Sequence, residues 1–250
     1  MEKLTVSAVG GPTALLELAG VRILTDPTFD PPGEYERPEV TLRKTEGPAI
    51  SADEVGDVDL VLLSHDHHPD NLDSAGREFL RRARSVLTTG EGAERLGEHA
   101  TGLEPWQSLS VGPLGITAVP AHHGPEESYQ LLGPVIGFVL KGDDLPTVYV
   151  SGDNASVDVA RSIAERVGDV DVAMLFAGGA YVERLDAYVT LTSGRAAEAA
   201  RALDARAVIP LHHNGWGHFT QDLGSLQAAF AEAGLADRLV ALEPGESATV

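Results

Sequence analysis

Four short apolar runs, far apart in the chain, each lead into histidine or aspartate, and no other feature restricts the fold as much. The runs are Val58–Leu63, Ile116–Val119, Thr147–Val150 and Ala207–Leu211. They lead into His65, His67 and His68; into His122 and His123; into Ser151-Gly152-Asp153-Asn154; and into His212, His213 and His218. Eight of the nine histidines fall in these clusters. A short apolar run bounded by polar residues reads as a buried strand. The carboxyl ends of such strands are where α/β folds place their ligand-binding groups. A fold that brings these ends to one edge therefore assembles a single polyhistidine site. Imidazole and carboxylate are ordinary ligands for zinc, manganese and iron.

The composition narrows what that site can do. There is no cysteine, which excludes disulfides, thiolate ligands and a thiol nucleophile and fits a reducing compartment. Only 18 basic residues stand against 38 acidic ones, a net charge of -20, and this weighs against nucleic acid as a partner. No Gly-x-Ser-x-Gly elbow occurs, and no Gly-Lys-Ser/Thr follows Gly10-Gly11-Pro12-Thr13, so neither a serine hydrolase nor a phosphate loop is indicated. No apolar run approaches the roughly 20 residues needed to span a bilayer. The start, Met1–Val6, lacks the features of a secretory signal, and a cytoplasmic protein is the expectation. With 250 residues, 43% of them hydrophobic, the chain can bury a core without staples, and one domain over residues 1–250 is expected.

The first third reads as β-rich, with Leu4–Val9, Ala14–Leu18 and Val21–Leu24 separated by Gly10-Gly11-Pro12 and Ala19-Gly20. Asp30–Pro48, rich in proline and charge, reads as a long loop. From Asp59 onward strands alternate with amphipathic helices, expected over Ser74–Arg84, Val157–Val167, Gly194–Leu203 and Leu223–Ala233, with a last strand at Leu239–Leu242. Arg81, Arg82 and Arg84 read as the wet face of the first of these helices. The order predicts an α/β class with sheets covered by helices.

The densest segment is Leu62–Asp73, in which seven of twelve residues are His, Asp or Asn. A solvated turn ending in an Asp73 helix cap would explain Asp73, but His is an uncommon turn residue. Asp153 reads as a ligand at a strand end, with Gly152 permitting close backbone approach; a turn-forming Asp is the plainer alternative. Adjacent strand residues point to opposite faces, so at most one of each neighbouring His pair points directly at a given site. His218, in Gly215-Trp216-Gly217-His218-Phe219, reads either as a substrate or proton-shuttle residue or as a local backbone cap. His99 reads as inert.

In this order the blocks resemble the metallo-β-lactamase superfamily of hydrolases, whose signature is His-x-His-x-Asp-His, then a lone His, a Gly-Asp and a late His. His65-Asp66-His67 matches the opening pair, Pro120-Ala121-His122-His123-Gly124 the third block, Ser151-Gly152-Asp153 the fourth and Ile209-Pro210-Leu211-His212 the last. Ala14–Leu18 followed by Val21–Pro27 is similar to the lactonase and phospholipase-D-like branch. The resemblance implies an αββα sandwich of two mixed β-sheets flanked by helices, holding one or two divalent ions of zinc, manganese or iron. His65, His67 and His123 would hold one ion, Asp70 and His212 a second, and Asp153 would bridge them. His123 is favoured over His122, and His212 over His213, by the family spacing.

The chain departs from the family at His68-Pro69-Asp70-Asn71, which leaves two registers open: in one, His65 and His67 are the opening pair and Asp70 takes the place of the final His; in the other, Asp66 and His68 are the pair, Asp70 aligns with the Asp and Asn71 replaces the final His. Both put Asp70 near the metals, and a carboxylate or amide in place of imidazole favours a harder ion such as manganese or iron. Thr190-Leu191-Thr192-Ser193 stands where many relatives carry a His. Asp66 or Asp70 would orient the nucleophile and His218 would protonate the leaving group. Asp26 would order the site loops, or simply form a turn with Pro27. The implied activity is attack of a metal-activated water on an ester, lactone or phosphodiester of a small-molecule or lipid-like substrate. A metal-binding or sensor protein with a degenerate second site and little turnover is the other class, and an oligomer is left open.

Overall fold

The structure is a computed structural model, and it describes residues 2–36, 41–125 and 128–250. A seven-stranded sheet runs in the order Ser247–Thr249, Thr5–Gly10, Thr13–Leu18, Val21–Thr25, Val58–Leu62, Ala83–Thr88, Ala100–Gly102. A six-stranded sheet runs Ala207–Leu211, Val172–Phe176, Val148–Val150, Ile136–Lys141, Leu114–Pro120, Ser108–Val111. Both are mixed. The first is parallel from Val21–Thr25 to Ala100–Gly102, the second from Val148–Val150 to Ala207–Leu211, and the remaining pairs are antiparallel.

The sheets face one another through alternate residues. Val6, Leu16, Ile23, Leu60 and Leu62 of the first pack against Ile116, Phe138, Leu140, Val150, Met174 and Ile209 of the second. The opposite side chains need a second cover. Tyr149, Val139 and Ala173 lie under the helices Val157–Val167, Ser193–Ala202 and Leu223–Glu232. Leu24 and Val61 lie under the helix Ser74–Phe79. Four layers, αββα, result, as the sequence leads one to expect. The three long helices start where Ser156, Thr192 and Asp222 accept hydrogen bonds from Val159, Arg195 and Ser225 backbone N–H groups.

Strand direction positions the site. Leu114–Pro120 and Val148–Val150 are each antiparallel to Ile136–Lys141, so they run the same way, and Ala207–Leu211 runs with them. Their carboxyl ends share one edge, where the end of Val58–Leu62 from the facing sheet meets them.

Three expectations need correction. The helix expected over Ser74–Arg84 ends at Phe79, a 3-10 turn follows at Leu80–Arg82, and Ala83 and Arg84 open a strand. That strand pairs Val61 with Val86 and Leu62 with Leu87, and long-range pairing overrides the local helical stripe. The segment expected as a loop carries a hairpin of Gly33–Glu36 with Thr41–Lys44; residues 37–40 lie outside the described ones. The last strand is Ser247–Thr249 rather than Leu239–Leu242, which contributes one bridge, Val208 to Leu239. Its pairing with Thr5–Ser7 is reinforced by a hydroxyl contact of 2.7 Å between Ser7 and Ser247.

Candidate metal centre

The strand Val58–Leu62 runs out through Leu63 and Ser64 into the first ligand loop. The Ser64 N–H donates to Asp26 Oδ1 at 2.6 Å, and Ser64 Oγ lies 2.9 Å from His65 Nδ1. This leaves His65 Nε2 facing inward, 2.8 Å from His68 Nδ1. On the facing sheet, His123 Nδ1 donates to the Val189 carbonyl at 2.7 Å, so its Nε2 carries the lone pair, 3.7 Å from Asp153 Oδ2. His65 Nε2 is 3.9 Å from the same oxygen. Gly152 turns the chain into Asp153 with φ 56°, and a Cβ there would lie 2.6 Å from the Ile136 carbonyl, so only glycine fits.

His65, His68, His123 and Asp153 thus offer ligand atoms within 4.8 Å of one another, and Asp70, Asp153 and His212 form a second such set. Asp153 belongs to both sets: its Oδ1 is 3.4 Å from His212 Nε2, which is 3.5 Å from Asp70 Oδ2. His218 Nε2 lies 3.1 Å from Asp70 Oδ2. His212 sits at φ 56°, held by its N–H to the Gly11 carbonyl at 2.7 Å. A Cβ at Gly178 would come within 2.3 Å of the His212 carbonyl.

Two sequence-expected residues are not brought into these sets. His67 faces away, its Nε2 donating to the Leu132 carbonyl at 2.5 Å. Asp66, buried, is held by Arg95, whose Nε and Nη2 reach its carboxylate at 3.0 and 2.7 Å, while Arg77 Nη2 donates to its carbonyl at 3.0 Å. The first of the two candidate sets thus draws His65 from one register and His68 from the other. His122 is exposed and His213 buried, and neither is in a ligand set. Asp73 caps its helix by accepting from the Gly76 N–H at 2.7 Å.

Asn71, which one register sets in place of the family's final His, lies with its Nδ2 3.4 Å from Asp153 Oδ1. Arg95 carried no local signal at all.

Burial governs the charges. It pushes Asp153 well up, with the carboxylates of Asp70 and Asp26 adding to the effect, and it pushes Asp26 up likewise. Burial acts the same way on Asp70, but the imidazoles of His212 and His218 beside it outweigh it and hold Asp70 well below the usual range. The imidazoles go down with burial: His65 strongly, His212 also, and His123 to about 4. They are neutral at neutral pH, as metal ligands must be.

Both ring nitrogens of His212, together with Asp70 Oδ1 and Asn71 Oδ1, are buried without a hydrogen-bond partner. Such orphaned atoms are unusual and call for a bound group. A nitrogen and oxygen donor set without thiolate fits a divalent zinc, manganese or iron ion. A cavity of about 440 Å³ opens at the cluster, lined by Asp70, Asp153 and His218 together with Leu42, Leu131 and Val182.

Two facing mixed sheets with a histidine and aspartate cluster at one strand edge define a metallo-β-lactamase-type fold. The chain belongs to the β-lactamase superfamily: residues 21–213 match the family described as "Beta-lactamase superfamily domain". A UPF0173 metal-dependent hydrolase of Pyrococcus furiosus is 30% identical over 206 residues, covering 80% of this chain and 86% of that protein. One of Methanopyrus kandleri is 30% identical over 245 residues, covering 93% and 94%. Among solved structures, an isothiocyanate hydrolase from Delia radicum gut bacteria superposes with a TM-score of 0.85 at 21% identity, covering 98% of both chains. CmlA, a diiron β-hydroxylase from Streptomyces venezuelae, superposes with a TM-score of 0.70 at 16% identity, covering 100% of this chain and 54% of that one. At these identities the likeness is one of fold.

Proposed function

We propose that the protein is a metal-dependent hydrolase that uses an activated water on an ester, lactone or related bond of a small molecule. The observation that carries this reading is the sharing of Asp153 between two sets of ligand atoms. His65, His68 and His123 would hold one ion with Asp153, and Asp70 and His212 the other. A divalent ion bound there supplies Lewis acidity, bringing the pKa of water toward about 7 and polarising the scissile group.

The chain's own residues do the rest. Neutral His65, His123 and His212 present lone pairs to the cluster. The Val189 carbonyl fixes the His123 tautomer, and Ser64 orients His65, which limits reorganisation on binding. His218, 3.1 Å from Asp70, can hold a proton at Nε2 and pass it to a leaving group. The relatives named metal-dependent hydrolases support the class.

The test is metal content and turnover. The purified protein, and His65→Ala, His123→Ala and His212→Ala variants, are loaded with zinc, manganese or iron and analysed for bound metal. An ester, lactone and phosphodiester panel follows. Loss of metal in each variant, and turnover in the parent only with metal, are expected. Unchanged metal content in all three variants would refute the site. Full metal loading with no turnover on the panel would favour the binding or sensor reading instead.

A further inference from the structure

The lining of the cavity over the cluster is mixed. Besides the histidines and aspartates it includes apolar side chains drawn from three separate segments. Leu42 comes from the strand Thr41–Lys44, Leu131 and Leu132 from the short helix Tyr129–Leu132, and Ala180, Val182 and Val189 from the segment between the strand Val172–Phe176 and the helix Ser193–Ala202. Leu132, Ala180 and Val189 form a hydrophobic cluster of their own, apart from the inter-sheet core and the cores under the helices. Leu42, Leu131 and Val182 remain half-buried and line the opening. Apolar side chains held open to solvent together with a few polar groups are the usual build of a small-molecule site. Basic charge is scarce: among the described lining residues Arg184 is the one lysine or arginine, and it is exposed beside Glu183.

Building on the hydrolase reading, we propose that the substrate is an uncharged carboxylic ester, open or cyclic, with an unbranched apolar acyl tail. Its carbonyl meets the histidines and aspartates and its tail lies along Leu42, Leu131 and Val182. The step balances without a co-reactant. The water oxygen bonds to the carbonyl carbon, and the bond from that carbon to the alkoxy oxygen breaks. One water proton goes to the leaving alkoxide, and the other is released as the acid ionises.

The test uses the metal-loaded full chain and methyl esters of straight-chain acids from acetate to octanoate, with acid release followed at constant pH. The value of kcat/KM should rise by about fourfold per methylene until the cavity is filled, the factor expected from burying each CH₂. Calorimetry supplies a readout independent of turnover: 1-octanol should bind more tightly than 1-butanol. Leu131→Asp should flatten the ester series and weaken octanol binding at least tenfold with metal content unchanged. Leu42→Asp is a second variant should the first fail to fold. Leu109→Asp, at an exposed position on an outer strand, should change neither series.

A flat series with methyl acetate still cleaved would overturn the tail assignment and leave the hydrolase reading standing. Faster cleavage of half-esters whose equally long tails end in carboxylate would overturn it too, in favour of a charged tail. Cleavage of no ester would sink the substrate assignment, and with it the ester form of the hydrolase reading. Octanol binding lost in Leu131→Asp would then still report an apolar ligand wall.

Discussion

Asp66 lies between His65 and His68 in sequence yet faces away from both ligand sets. Its carboxylate is half of a fork-to-fork pair with Arg95 from the helix Gly90–Leu96. Burial would raise its pKa, but the adjacent His67 and the Arg95 guanidinium outweigh that and hold Asp66 well below the usual carboxylate range. We therefore expect Asp66→Asn to lower metal affinity about 10- to 100-fold, the usual effect of disturbing a ligand's support. Turnover per bound metal should be preserved, and a competition titration with a chromogenic chelator measures the first effect. A group that oriented the nucleophile would do the reverse.

His123 gives a pH prediction. Its folded pKa is pushed down to about 4 by burial, below its ordinary 6.5, so the unfolded chain binds the proton first as pH falls. Stability from this group is complete above about 6.5 and is lost between there and about 4. In metal-free protein, His123→Ala should flatten the fall of denaturation midpoint over that window, a difference of up to about 3 kcal/mol. No difference in slope between parent and variant would contradict it. None of these orientations could be read from the local sequence, because Arg95 and Val189 stand far along the chain from the residues they aim.

At the scale of elements, the hairpin Gly33–Lys44 is fastened to the site from one side. Lys44 Nζ donates to Asp73 Oδ2 at 2.8 Å, with both side chains buried. The same carboxylate accepts from the backbone N–H groups of Phe29, Asp30 and Gly76. Lys44 also lies 5.7 Å from the centre of the Trp216 ring, and Trp216 belongs to the loop that carries His218. One ion pair thus ties together the hairpin, the His218 loop and the helix that follows the first ligand loop. Lys44→Met should destabilise the chain toward the lower end of the about 3–5 kcal/mol typical of a broken buried pair, since three N–H donors still serve Asp73. Chemical denaturation would measure it, and a loss below about 1 kcal/mol would contradict the reading.

Asp73 was legible as a cap, but its larger role was not. The hairpin was hidden because proline and charge gave that segment no period, and its order comes from contacts with Trp216 and Asp73. The helix Val157–Val167 was legible to the residue, because its amphipathic stripe is a local property.

At the scale of the molecule, the ligand cluster joins the two sheets. Asp26, His65 and Asp70 come from the first sheet's edge, His123, Asp153 and His212 from the second. An ion bound there would also offset the repulsion among Asp26, Asp70 and Asp153, in a chain of net charge -20. Metal should therefore stabilise the whole fold: about 2.7 kcal/mol at a hundredfold excess over the dissociation constant. For a chain of this size that corresponds to a rise in Tm of about 5–10 °C, removed by chelator and restored by added ion. Scanning calorimetry at pH 7 checks it, and an unchanged Tm on loading would count against a cluster that spans both sheets. Among the described residues no helix is long and apolar enough to cross a membrane.

What the sequence determined by itself was the supply of donors and their place at the ends of strands. Apolar run, polar terminus and glycine turn are all set within a few residues of one another. What the tertiary structure decided was aim. Whether His67 or His68 points to the centre depends on a carbonyl at Leu132, an arginine at position 95 and an aspartate at position 26, and no neighbour in sequence holds that information. Local pattern fixes which atoms can bind a cation; only packing between distant segments fixes which of them converge.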